Sequence, residues 1–293
     1  MAVDNFIPTL WTARLLSNLQ KSHVLAARVN RDYEGEIKQA GDTVKIGGIG
    51  AVTVSSYTKN STTLSWQTLA DASQTLVIDR AKYFAFKVDD VDAAQTKPKL
   101  MDEAMKEASY AISDEIDAYL AGLYTDAATA NKLGADGGSA KTVGYGSGET
   151  DPYKTLVNMG VLLSKANVPS AGRWAVVTPW FEGMLRKSGT FGANVASPSG
   201  EQAMLNGYIG RSAGFDIYTS NNLTNDAQGT PTWRLMFGVD AAISMAVQKA
   251  PVMESIRLQD SFSDGVRGLL LYGAKVVRPA AMAVLFAKEG ADS

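Results

Sequence analysis

Few residues in this chain are spaced for chemistry. His23 is the sole histidine, and there is no cysteine. A Ser-His-Asp relay would have to run through His23, a site of several histidines is impossible, and thiol catalysis, disulfides and cysteine-bound zinc are excluded. Nothing near His23 supplies a nucleophile with an orienting carboxylate, so its expected part is packing or capping on an N-terminal helix. The densest acidic group, Asp89, Asp90 and Asp92, offers the oxygen ligands of a divalent cation. No glycine-containing calcium loop with a distal glutamate follows, so these acids read as a solvated junction between a strand and a helix. Two glycine clusters, Gly47-Gly48-Ile49-Gly50 and Gly144-Tyr145-Gly146-Ser147-Gly148, have the composition of phosphate cradles. The first lies between β runs, the second has no strand immediately before it, and neither ends in the Lys-Ser/Thr of a P-loop. Both read as turns. No catalytic, cofactor-binding or metal-ligating residue is assigned, and no cofactor is expected.

The chain therefore has to be read for what its elements build. Its 293 residues, 45% of them hydrophobic, suffice for a sizeable core in one large domain or two. The formal charge of −2 comes with no basic patch for duplex DNA and no Lys/Arg block for a membrane surface. No run of about 18 apolar residues predicts a membrane span. The opening MAVDNFIPTLW lacks the charged and apolar regions of a signal peptide.

Residues 43–88 alternate apolar and polar types at period two: Val44 and Ile46, Val52 and Val54, Leu64 and Trp66, Leu76 and Ile78, then Phe84, Phe86 and Val88. That spacing predicts long β-hairpins with little core of their own. Such hairpins are marginal in water, and an open edge pairs readily with another chain. Before them, Trp11, Leu15 and Leu19 predict an amphipathic helix at a chain end, which needs a surface to dock on. Residues 97–125 form the clearest helix, with Pro98 at its start and Leu100, Ala104, Ala108, Ala111, Ile112, Ile116, Tyr119, Leu120 and Leu123 at steps of three and four. Its length would be roughly 40 Å. Acids outnumber lysines along it, from Asp102 and Glu103 through Glu107, Asp114, Glu115 and Asp117 to Asp126. They read as a solvated face, with repulsion of packaged polyanion as the alternative.

Residues 126–150 lose periodicity and read as a soft glycine-punctuated loop. From 151 the texture becomes a compact α/β or α+β domain. Helix starts of a capping residue plus proline stand at Asp151-Pro152, Thr178-Pro179 and Ser197-Pro198, with strands at Trp174–Val177, Phe215–Tyr218 and Arg234–Phe237. Val266–Val277 predicts a strand buried on both faces, and Ala281–Phe286 a last short strand. Trp11, Trp174, Trp180 and Trp233 read mainly as core, whereas Trp66, near a hairpin tip, suits an interface.

The order of arm, hairpin, long helix, glycine-rich loop, compact domain and return strand resembles the major capsid (coat) proteins of tailed bacteriophages, the Johnson fold. So do NFIPTLWTARLL, DTVKIGGIGAVTVSSYT, LVIDRAKYFAFKVDDVDAAQ, VVTPWFEGMLRKSGTF, LNGYIGRSAGFDIYTSNNL and VRGLLLYGAKVVRPAAMAVL, which span nearly the whole chain. The resemblance implies an α+β fold with an N-terminal arm at 1–40, an extended β-hairpin loop at 41–80, a peripheral domain at 81–150 and 251–293 carrying a spine helix at 97–125, and an axial domain at 151–250. It implies a non-enzymatic shell protein, assembled in the host cytoplasm into pentameric and hexameric capsomers of an icosahedral virion head around double-stranded DNA that it does not bind specifically. Implied partners are further copies of the chain, a portal and decoration proteins, with no membrane. The chain begins almost at the arm, so a separate scaffolding protein, or none, is expected. Some relatives cross-link through Lys and Asn; Lys59 and Asn60 lie in the loop and are taken as unreactive. Three other readings stand beside this one: an encapsulin-like bacterial nanocompartment shell, a soluble α/β enzyme with its site in 151–250, and a phage tail or adhesin protein that also oligomerises.

Overall fold

The computed structural model describes residues 24–32, 43–46, 54–56, 58–59, 66, 73–89, 99–136, 139–187, 208–226, 231–257 and 263–290. The arm helix expected around Trp11, the glycines at 47–50 and the helix start at Ser197-Pro198 lie outside these residues. In chain order the strands are β1 (Thr43–Ile46), β2 (Gln74–Val77), β3 (Arg80–Asp89), β4 (Lys132–Leu133), β5 (Lys141–Val143), β6 (Arg173–Val177), β7 (Tyr208–Ser212), β8 (Phe215–Thr219), β9 (Trp233–Val239), β10 (Ile243–Arg257), β11 (Ser263–Val276) and β12 (Met282–Glu289). The α-helices are α1 (Lys99–Gly122), α2 (Pro152–Lys165) and α3 (Pro179–Lys187).

The main sheet has seven strands in the order β4-β12-β9-β6-β8-β7, with β5 beside β4 on the edge of β12. Its centre reads as continuous apolar runs because it is covered on both faces. All of Arg173–Val177 in β6 and Met282–Ala287 in β12 are buried, and the last two residues of β12 turn outward. Trp174, Phe215 and Phe237 fill the interior, the two phenylalanine rings meeting edge to face at 5.5 Å.

The helices start where their caps predict. Asp151 accepts from the Lys154 amide at 3.0 Å, and Pro152 occupies the first helical turn. Leu156, Met159 and Leu163 form the buried stripe of α2. Its C-terminal end is held by a residue that periodicity does not reveal. The buried Arg173 guanidinium donates to the carbonyls of Pro169 (2.8 Å), Gly160 (3.1 Å) and Val168 (2.6 Å) and to Ser164 Oγ (3.2 Å). A fork of five fixed donors suits such a cluster of carbonyls.

A second, three-stranded sheet runs β10-β11-β3, all antiparallel. The glycines along 126–150 do not leave a soft loop. Two 3-10 turns, Leu123–Asp126 and Thr129–Asn131, lead into β4 and β5, which pair in parallel with β12. The Asn131 side chain donates to the carbonyls of Ala280 (2.7 Å) and Met282 (3.2 Å), and Arg234 pairs with Asp136 at 2.8 Å while lying over the Tyr124 ring. Gly134 is required there: its φ is +83°, and a Cβ would meet the Phe286 carbonyl oxygen at 3.0 Å. The expectation missed this because long-range side-chain contacts, absent from any periodicity, pin the segment.

Two further differences concern strands. β10 is longer than its alternation predicts, since Gln248, Lys249, Pro251 and Glu254 interrupt that pattern and the strand carries register shifts near 247–252. β11 is not buried on both faces throughout. Leu270 is buried, but its neighbour Leu269 is 37% exposed and Leu271 half-buried, because the outer face of this sheet turns to solvent at that end.

Candidate assembly interface

Among the described residues, the side chains with chemical potential do not converge. His23, Asp90 and Asp92 lie outside the described residues, and Asp89 ends β3. Among the described residues no three acidic or histidine side chains come together as a metal site. Gly144–Gly148 forms a turn between β5 and α2, pinned by Gly146 N donating to Glu149 Oε2 (2.9 Å) and Tyr145 Oη donating to the Met184 carbonyl (2.7 Å). A carboxylate already takes up the turn's amide there, which is the reverse of a phosphate cradle. No helix among the described residues is long and apolar enough to cross a membrane.

The acids of the long helix divide. Glu107, Asp114 and Asp126 face solvent, and Glu115 forms an ion pair with Lys82 of β3. Asp117 is only 3% exposed. Its carboxylate accepts from the backbone amides of Val24 (2.9 Å) and Ala26 (3.2 Å). Burial pushes its carboxyl above the usual carboxylate range, against the backbone amides that hold it down. Sequence reading placed Asp117 on a wet face. The buried stripe of α1 instead runs through Ser109, Ile112, Ser113, Ile116, Asp117, Leu120 and Ala121, and Ala111 is exposed. The apolar periodicity alone gave no signal that small polar residues share this stripe.

Residues 24–30 are seated by that contact. Leu25 and Ala26 are buried, Val29 nearly so, and Arg28 lies 4.6 Å over the Tyr218 ring. On the other side Asn30 N donates to the Ile243 carbonyl and Met245 N to the Asn30 carbonyl, both at 2.9 Å.

The hairpin expectation is met at its base, where β1 pairs antiparallel with β2, Thr43 opposite Val77. The base carries its own small core of Ile46, Leu76, Ile78 and Ala246, with Leu271 and Val277 against it. Gln74 Nε2 donates to the Val277 carbonyl (3.0 Å) and Lys275 Nζ to the Thr75 carbonyl (2.9 Å), tying the ribbon to β11 and the residue after it. Within the segment between these strands, Val54 and Trp66 are each 93% exposed. A tryptophan wholly in water is unusual, since it buries about 150–250 Å² wherever it packs.

A second apolar surface lies on the outer face of the three-stranded sheet. Tyr83, 79% exposed, stands opposite Leu269, with Ile256 two strands away and the Arg267–Glu254 ion pair (2.8 Å) between. The inner face is covered: Phe84 and Phe86 stack at 6.4 Å, with Val266 and Leu270 beneath. Trp174 is core, whereas Trp180 and Trp233 are half-buried.

These features define a subunit with a finished core and unfinished edges, a body that presents a tethered ribbon and an apolar sheet face to its surroundings. Exposed apolar surface of this kind marks a site of contact with other proteins. A family model described as phage capsid protein matches residues 71–285. A solved structure from Mycobacterium phage Che8 is 30% identical, with 90% of this chain and 91% of that one covered at a TM-score of 0.65. The capsid of Ralstonia phage GP4 shares the fold at a TM-score of 0.68 and 12% identity, over 93% and 92% of the two chains. A virus-like particle from Pyrococcus furiosus shares it more loosely, with a TM-score of 0.55 at 11% identity over 93% and 96%. No curated protein matches the chain in sequence. The chain belongs to the phage capsid protein family, with the fold the sequence resemblance implied, and it is a structural protein of the capsid shell of the virion. The nanocompartment alternative is the weaker one, since the family is that of phage capsids.

Proposed function

We propose that copies of this chain assemble through pentameric and hexameric capsomers into an icosahedral head around double-stranded DNA, without enzymatic activity and without specific contact to that DNA. The observation that carries this reading is Trp66, 93% exposed on a segment whose described anchors all lie at the ribbon base. Burying one such side chain on a neighbour would contribute about 4–6 kcal/mol before ordering costs. Contacts of that size, repeated in every subunit, sum to a stable particle while leaving single errors reversible.

In this reading residues 1–40 are the arm, 41–80 the extended loop, 81–150 and 251–293 the peripheral domain with its spine helix at 97–125, and 151–250 the axial domain. Because β12 hydrogen-bonds to β9, and β4 and β5 to β12, we count 132–143 and 282–289 with the sheet of the axial part. Assembly takes place in the host cytoplasm, with a portal and decoration proteins as partners. Lys59 and Asn60 form no cross-link.

Electron microscopy of the full chain, alone and co-expressed with a scaffolding partner, tests the reading. Closed shells or rings of five and six are expected. A monodisperse monomer or dimer under both conditions would overturn it. Trp66→Ser should leave the melting of the unassembled chain unchanged within about 0.5 kcal/mol and abolish closed shells. Normal shells from this variant would remove Trp66 from the interface.

A further inference from the structure

A buried carboxylate on the core stripe of a helix needs a reason. At position 117, between Ile116 and Leu120, an apolar side chain would serve α1 better, because an ion taken out of water is costly unless its partners are well placed. Among the described residues no ion pair joins Asp117, and the like charge of Asp114 acts against its ionised form. What it does have is the chain at 24–26.

That segment lacks an acceptor of its own. Residues Ala26–Arg28 form a 3-10 turn whose capping position is Leu25, a residue with no side-chain oxygen. The first amides of such a turn have no partner within it. Asp117 Oδ2 takes the Val24 amide at 2.9 Å and Oδ1 the Ala26 amide at 3.2 Å, with the Leu25 amide also contributing. A residue 91 positions away in sequence from Ala26 thus caps the turn from outside. The opposite side of the same segment is held by the paired bonds between Asn30 and the Ile243–Met245 backbone. The seven residues 24–30 therefore bridge α1 and the start of β10, with Leu25 and Ala26 plugged into the main core.

We propose that Asp117 is the positioning residue of the N-terminal arm: it fixes the point at which residues 1–23 join the body, and thereby the place from which the arm reaches another copy in the shell. This rests on the shell reading above. Asp117 does not hold the body together. Its two oxygens act on the backbone of the incoming chain, and α1 keeps its other buried contacts through Ile112, Ile116 and Leu120 without it.

Hydrogen–deuterium exchange on the unassembled full chain tests the clamp, and electron microscopy of assembled material tests its use. Asp117→Ala removes the acceptor. Asp117→Leu removes it while filling the space with a good helix former, so that a change in the arm is not a mere loss of folding. Asp117→Asn keeps one carbonyl oxygen and should fall between them and the wild type. In the Ala and Leu variants exchange at 24–26 should rise about tenfold or more, while exchange in 112–120 and in β9 stays within about twofold. Shells from these variants should be open or irregular where the wild type closes. Unchanged exchange at 24–26 would overturn the proposal. So would a rise spread equally through α1 and β9, which would make Asp117 ordinary core support. Wild-type shells from a variant with a freed arm would also overturn it. Failure of the wild type itself to form shells would instead overturn the shell reading, and the exchange result would still decide the clamp.

Discussion

Replacing Gly273 by alanine should loosen the ribbon on the body with little harm to either. Gly273 lies in β11 opposite Ala246, directly beneath the end of β2. A Cβ built there would overlap the Val77 carbonyl oxygen and stand 3.0 Å from Ile78 Cα and 3.1 Å from the Val77 carbonyl carbon. All three are backbone atoms, so no rotamer change relieves the overlap and β2 itself must lift. What resists lifting is the small core of Ile46, Leu76 and Ile78 on Ala246. At about 1.5–3 kcal/mol for each large side chain, that docking is worth at most about 4–9 kcal/mol. Overpacking costs about 1–3 kcal/mol. The ribbon should therefore remain docked on average but open about 5 to 150 times more often. Amide exchange at Gln74–Val77 in the unassembled chain reads this directly, with β6 and β9 as internal controls that should not change. Unaltered exchange at 74–77 would refute the steric reasoning. An equal rise in β6 and β9 would refute the independence of the ribbon core, since it would mean the two cores open together.

Two other perturbations probe the body. Arg173→Ala strips the donors from three carbonyls at the end of α2, and should cost about 2–4 kcal/mol in denaturant unfolding, with Arg173→Lys recovering less than half because a lysine has no fork. Burial, helped by the nearby Glu115 and Tyr119 and opposed by Arg80, pushes the Tyr272 hydroxyl up to about 12 from its ordinary 10.0. The unfolded chain thus ionises this group first, so its contribution to stability is complete below pH 10 and is lost as pH rises toward about 12. Melting from pH 9 to pH 12 should fall less steeply for Tyr272→Phe than for the wild type, and parallel curves would exclude this tyrosine as the source.

Local signals carried far into this structure. The period-two run around Leu76 and the Phe84–Phe86 pair became β2 and β3, and Asp151-Pro152 and Thr178-Pro179 opened helices within a residue of where capping chemistry predicts. The 97–125 helix formed over Lys99–Gly122. These features depend on neighbours in sequence, and neighbours in sequence are what periodicity and capping record. Trp66, set apart from the other tryptophans by its place in the alternating run, is exposed as an interface residue would be.

The remainder depends on groups far apart along the chain. Nothing around Asp117 distinguishes it from Asp114, yet one meets solvent and the other three backbone amides 91 to 93 residues away. The glycines of 126–150 predict freedom, and Asn131 and Asp136 remove it by reaching Ala280, Met282 and Arg234. Residue types and their spacing determined, by themselves, most of the segments that become helix or strand, and that apolar side chains are left over for contact with other copies. Only the tertiary structure decided which polar groups are buried and where the arm and the ribbon are fastened. A buried hydrogen bond or a backbone overlap is fixed by distance in space, and that distance exists only once the sheets have closed around it.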